Sequence, residues 1–146
     1  MFKFRLAKIL RLREHKEKLC LEEVGKCVLQ LQEALQKKEE FEERIAKLER
    51  EYIITLKGFI FAERVSLYKN YLLYHYKMLK LQKEVIEEKK NNLAEARVKL
   101  VEAMKERKIL DKLREKQYFR YRQEQEKKEQ IFQDELAVTS KRRQSD

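Results

Sequence analysis

Leu72, Leu79, Ile86, Leu93 and Leu100 recur every seven residues in a chain with no proline and only two glycines. A residue repeated at period seven stays on one side of a slightly underwound helix, so this spacing predicts the seam of a coiled coil. Val65, Tyr68, His75, Gln82, Lys89 and Ala96 fall on the same lattice, interleaved in steps of three and four. A fold of long paired helices buries a narrow stripe and no thick core. Its stability must come from many small seam contacts and from helix propensity. Charged residues make up 42% of the chain, well above the roughly 25% of an ordinary globular domain. The apolar share is also 42% and is arranged with a period, which separates this chain from a disordered one.

A second stripe occupies the first third of the sequence. Phe2, Leu6 and Ile9/Leu10 begin it, Leu21, Val24, Val28, Leu31 and Leu35 continue it, and Phe41, Ile45, Leu48 and Tyr52 follow. The short step from Leu35 to Phe41 predicts a slip of the seam by one position. Gly25 lies within this stripe at a cost of roughly 1 kcal/mol relative to alanine, and is read as tolerated or as a site of close helix approach. Heptad order is lost over Leu56-Lys57-Gly58-Phe59-Ile60-Phe61. There Gly58 is expected to take a positive φ and end one helix, and Ser66 to cap the next.

These features predict an all-α fold, a single antiparallel coiled-coil hairpin over residues 1–138, with arm one at 2–56, a tip at 57–65 and arm two at 66–138. A turn near residue 61 pairs residue i with roughly residue 122 − i, which sets the two apolar stripes against each other. Such a rod would be on the order of 80 Å long. Residues beyond about 120 have no partner in this register, and 139–146 are expected to form a disordered basic tail.

The net charge of +10 is uneven: residues 1–20 carry +5 and residues 105–146 carry +4, so both termini are basic. A solvated face explains this, as does docking onto an acidic protein, nucleic acid or lipid. A basic-zipper reading needs a Lys/Arg block free of acids, whereas Glu106, Asp111, Glu115, Glu124 and Glu126 interrupt residues 105–128. No nucleic-acid partner is therefore expected. The amphipathic start, Phe2 to Arg13, has no uninterrupted apolar region behind it and reads as the first turns of an arm rather than a secretory signal. It could also lie on an anionic membrane.

Cys20 and Cys27 lie seven residues apart, roughly 10 Å along a helix, too far to pair with each other, and read as small seam fillers in a reduced, cytosolic protein. No zinc spacing, glycine-rich phosphate loop or Ser/His/Asp set is present in the sequence. A non-enzymatic protein without metal, cofactor or small-molecule substrate is expected, acting through its surface. Tyr52, Phe59, Phe61, Tyr68, Tyr71, Tyr74 and Tyr76 gather around the turn. Tyr68, Tyr71 and Leu72 are expected on one face, with Tyr74 and Tyr76 elsewhere. Some of these rings must be exposed, as partner anchors or as local packing.

The two ends carry a resemblance. The N-terminus reads Phe2-x-Phe4-Arg5-Leu6-x-x-Ile9-Leu10-x-Leu12-Arg13. The C-terminal part contains Arg107-Lys108-x-Leu110-x-x-Leu113-Arg114-Glu115-Lys116, Glu129-Gln130 and Asp134-Glu135-Leu136-Ala137. Together they resemble the flagellar export protein FliJ family, and length and two-arm layout agree. The resemblance implies a cytoplasmic stalk and adaptor of the type III export apparatus, peripheral at the inner face of the membrane at the flagellar base. It implies that the paired termini enter the pore of the hexameric export ATPase, with Arg5, Arg11, Arg13, Arg107 and Arg114 as candidate contacts. It further implies contact with the cytoplasmic domain of the export gate, for which Tyr52, Tyr68 and Tyr71 occupy comparable positions, and with export chaperones. The equivalent stalk of an injectisome is the closest confusable family. His75 stands where the family often has an apolar residue.

Overall fold

The computed structural model describes residues 1–58 and 62–145. Two helices account for nearly all of them: α1, Ala7–Leu56, and α2, Ala62–Ser145, packed against each other as a hairpin, with no strand among the described residues. The absence of proline explains their lengths, since nothing removes a backbone donor along 50 and 84 residues. The centre of the expected tip, Phe59, Ile60 and Phe61, lies outside the described residues, as does Asp146.

The chain divides into two compact units. The inner unit is Leu19–Val101; the terminal unit joins Met1–Lys18 to Glu102–Asp146. In the inner unit the seam of α1 runs through Cys20, Val24, Cys27, Leu31, Ala34, Lys38, Phe41, Ile45, Leu48, Tyr52 and Thr55, all buried or half-buried. These positions alternate in steps of three and four without interruption, so the expected slip does not occur. The seam passes through Ala34, only 5% exposed, while Leu35 stands beside it at 39% and Leu21 points outward. The α2 seam follows the expected lattice from Val65 to Leu100, with Ile86, Leu93 and Ala96 buried. Cys27, Leu93 and Ala96 form its centre, covered by Val24, Val28 and Leu31.

One polar seam position, Gln82, faces a small residue. Gln82 Nε2 donates to the Ala34 carbonyl at 2.9 Å, reaching into the space that alanine leaves. Partners across the inner unit have numbers that add to between 116 (Ala34 with Gln82) and 125 (Glu49 with Tyr76), which brackets the 122 − i rule. In the terminal unit the corresponding range is 119 (Arg13 with Glu106) to 124 (Glu17 with Arg107).

The helix boundaries differ from expectation for local reasons. No described residue has a positive φ, Gly58 included. α1 instead closes with tightened bonds, Lys57 N–H to Ile54 O at 3.2 Å and Gly58 N–H to Thr55 O at 3.3 Å, which satisfy terminal carbonyls. α2 begins at Ala62, so Ser66 lies inside it and caps nothing. A Cβ added at Gly25 would meet nothing within 4 Å, which makes Gly25 a tolerated glycine rather than a close approach. At the other terminus α2 continues as helix through 139–145, where a disordered tail was expected. Thr139 and Ser145 bond back to the carbonyls of Glu135 and Arg142. Every described residue beyond Tyr121 is exposed.

Candidate interaction surfaces

The terminal unit starts with a short non-helical strap. Phe2 folds back onto α2, its ring 5.2 Å from Tyr118 edge-on and 5.5 Å from Tyr121. Leu10 (3% exposed) and Ala103 (1%) are its buried apolar residues. The seam is then taken over by charge. Glu106 accepts from Arg13 and from Lys16, the latter at 3.3 Å, and Arg107 donates to Glu17 and Asp111. Hydrogen bonds from Arg13, then Lys16, hold the Glu106 carboxyl below the usual carboxylate range. Hydrogen bonds to Glu17, then Asp111, raise Arg107 above the ordinary arginine value.

The five candidate arginines therefore part into two groups. Arg13 and Arg107 are half-buried and tie the helices together. Arg5, Arg11 and Arg114 are exposed, and none joins an ion pair among the described residues. Arg11 and Arg114 line a shallow depression with Phe2, Phe4, Leu10 and Glu14, so apolar surface and outward positive charge meet there. Sequence reasoning missed the cross-helix partners Lys16, Glu17 and Glu106, the Arg107–Asp111 pair within α2, and the docking of Phe2. The pairing rule holds the signal, since 16 and 106 add to 122, but in the sequence such charges look like a solvated face.

The three candidate tyrosines of the inner unit part similarly. Tyr52 and Tyr68 are half-buried and face each other across the seam at 6.3 Å. Tyr71 leaves that face: it is 50% exposed and shares a depression with Leu67, Asn70 and Tyr74. A period of 3.5 puts Tyr68 and Leu72 in the seam and rotates Tyr71 out of it. Tyr76 donates to Glu49 of α1, and that bond, with slight burial and the negative charge, raises its pKa. His75 sits in the seam with its Nδ1 buried and unpartnered. Cys20 and Cys27 occupy successive heptads of the α1 seam as free thiols. Among the described residues no group of three or more His, Cys, Asp or Glu converges as metal ligands.

An antiparallel pair of long helices with shallow, solvent-facing depressions belongs to the class of coiled-coil hairpins, whose chemistry is recognition. The profile of the flagellar FliJ protein matches residues 2–146, so the chain belongs to the FliJ family and is associated with type III protein export. The structure of a putative YscO homolog from Chlamydia trachomatis is similar, with a TM-score of 0.71 and 19% identity over 94% of this chain and 93% of that one. At that identity the likeness concerns the fold. No curated protein matches in sequence. Among the described residues, no helix is long and apolar enough to cross a membrane.

Proposed function

We propose that this protein is a non-enzymatic stalk and adaptor of the flagellar export apparatus, working at the cytoplasmic face of the flagellar base. The paired termini of the terminal unit enter the hexameric export ATPase. The inner unit meets the cytoplasmic domain of the export gate, and export chaperones bind the same protein. The observation that carries this reading is the set of outward arginines, Arg5, Arg11 and Arg114, beside the Phe2 depression in a chain of the FliJ family. Arg13 and Arg107 support the same surface from behind, since their guanidinium groups fix the two helices that present it. On the inner unit Tyr71 is the ring available to the gate, while Tyr52 and Tyr68 pack on each other in the seam.

Affinity capture from the native cytosol with the full chain tests the reading. The wild type should retain the export ATPase and the gate domain. Tyr71→Ala should retain the ATPase and lose most of the gate, because truncating an aromatic anchor commonly weakens binding by roughly thirtyfold. Recovery of neither partner by the wild type would reject the proposal.

A further inference from the structure

The inner unit carries a second heptad stripe that its own hairpin leaves uncovered. Leu67, Tyr71, Tyr74, Met78, Leu81 and Val85 of α2 recur in steps of four and three, separate from the seam. Met78 is half-buried; the other five are between 37% and 57% exposed. At 3.5 residues per turn the stripe is centred about 100° around α2 from the seam formed by Tyr68, Leu72, His75, Leu79 and Gln82. α1 borders it on one side: Glu51 lines a depression with Leu67 and Tyr71, and Arg44 lies one heptad earlier on the same side of α1. A helix with two apolar stripes at such an angle is suited to the inside of a larger bundle.

The spacing itself identifies what completes the bundle. Steps of 4, 3, 4, 3 and 4 read the same in both directions, so the stripe is complementary to a reversed copy of itself. A two-fold axis beside residue 76 sets Leu67 against Val85 of the second copy, Tyr71 against Leu81 and Tyr74 against Met78. Each ring then faces an aliphatic or thioether side chain. Residue i of α2 pairs with residue 152 − i, which with the hairpin register of 122 − i brings residue i of α1 level with residue 92 − i of the second α1. Arg44 of each copy falls within one turn of Glu51 of the other, so opposite charges meet twice. On the outer flank Asn70 meets Glu84, while Lys77 meets its own copy at the axis, a like-charge contact that weakens the association. The stripe offers about 500 Å² on each copy, about 1,000 Å² in all, the lower bound for a specific interface.

We propose that the inner unit self-associates through this stripe as an antiparallel four-helix dimer, with a dissociation constant on the order of 10 µM. Tyr71 lies inside the interface, so dimerisation and the gate contact exclude each other. Self-association follows from the stripe alone and does not depend on the gate contact. The terminal unit takes no part in it.

The test is sedimentation equilibrium of the purified full chain between about 1 and about 200 µM. The wild type should pass from the monomer to twice its mass over that range. Leu81→Lys with Val85→Lys should stay monomeric throughout, a loss of at least roughly 50-fold, because the buried ammonium groups would have no partners. Leu29→Lys with Val98→Lys adds the same charge at exposed positions off the stripe and should dimerise as the wild type does. All four side chains are exposed, and unchanged circular dichroism melts would show that the fold is intact. Cross-linking reads the register independently of those variants. Lys77→Cys places two thiols about 3 Å apart along the helix axes, within reach of a short bis-maleimide, whereas Leu67→Cys places them about 27 Å apart. Cys20 and Cys27 lie farther still from the two-fold axis. A wild type that is monomeric at about 200 µM, equal losses in the two lysine pairs, or cross-linking at residue 67 in place of residue 77 would overturn the proposal. Every readout is made without the gate present, so none of these results bears on its capture.

Discussion

The inner and terminal units use the same two helices but hold them together by different physics. Across Leu19–Val101 the seam is small and apolar, with Cys27, Ala34, Ile45, Ile86, Leu93 and Ala96 all buried. Among the described residues of the terminal unit only Leu10 and Ala103 are buried, and the positions beside them are filled by Arg13, Lys16, Glu17, Glu106, Arg107 and Asp111. Apolar contacts are indifferent to salt and mild acid. Half-exposed ion pairs are weak and screened, with a typical value of about 0–1 kcal/mol each. The inner unit is therefore the stable part of the pairing. The terminal unit is the part whose pairing responds to surroundings, and it carries the surface assigned to the ATPase.

The largest expected effect separates the two by stability. Ile86→Ala removes a side chain that is 5% exposed at the inner seam, and should cost about 2–3 kcal/mol in denaturant unfolding. Phe2→Ala should cost the terminal unit about 1 kcal/mol through loss of the Tyr118 and Tyr121 contacts, read as faster amide exchange in the first turn of α1 with the inner unit unchanged. Gly25→Ala should stabilise by up to about 1 kcal/mol, since its Cβ would meet nothing and the residue is helical.

Acid sharpens the comparison further. Because Glu106 is held below its ordinary value, its contribution is complete above the usual glutamate pKa and is lost as pH falls through the depressed one. Amide exchange over residues 8–17 and 103–111 should accelerate below roughly pH 4, while residues 27–34 and 86–96 stay protected. Glu106→Gln should reduce that step, leaving the part that belongs to the carboxylates on Arg107. Arg107 keeps its charge throughout this range and adds no slope of its own. Tyr76→Phe is the smallest change, within about 0.5 kcal/mol at neutral pH because the pair with Glu49 is exposed. The raised tyrosine pKa means that this small contribution holds below about pH 10 and disappears above it.

What the sequence made legible follows from the same contrast. The α2 lattice from Val65 to Leu100 could be read directly because a large aliphatic residue marks each heptad. The α1 seam could not, because Ala34 and Lys38 occupy two successive seam positions while the more conspicuous Leu35 lies outside. Alanine leaves little hydrophobic signal even where it is the residue most suited to close packing. In the terminal unit the seam is written in charges, which look like a solvated face until the pairing register sets Lys16 against Glu106. Of the candidate sites, the arginines follow from the resemblance of the two basic ends to the family. Which of them point outward depended on partners ninety residues away, Arg107 with Glu17 among them.

ATP hydrolysis by the purified hexameric export ATPase, with the full chain added, tests the central claim most directly. The wild type should stimulate hydrolysis, with an effect that weakens as salt rises. Arg5→Glu with Arg11→Glu and Arg114→Glu, all exposed positions, should abolish stimulation while leaving helicity and the inner unit's unfolding unchanged. Stimulation undiminished in that triple variant would contradict the assignment of the terminal unit to the ATPase.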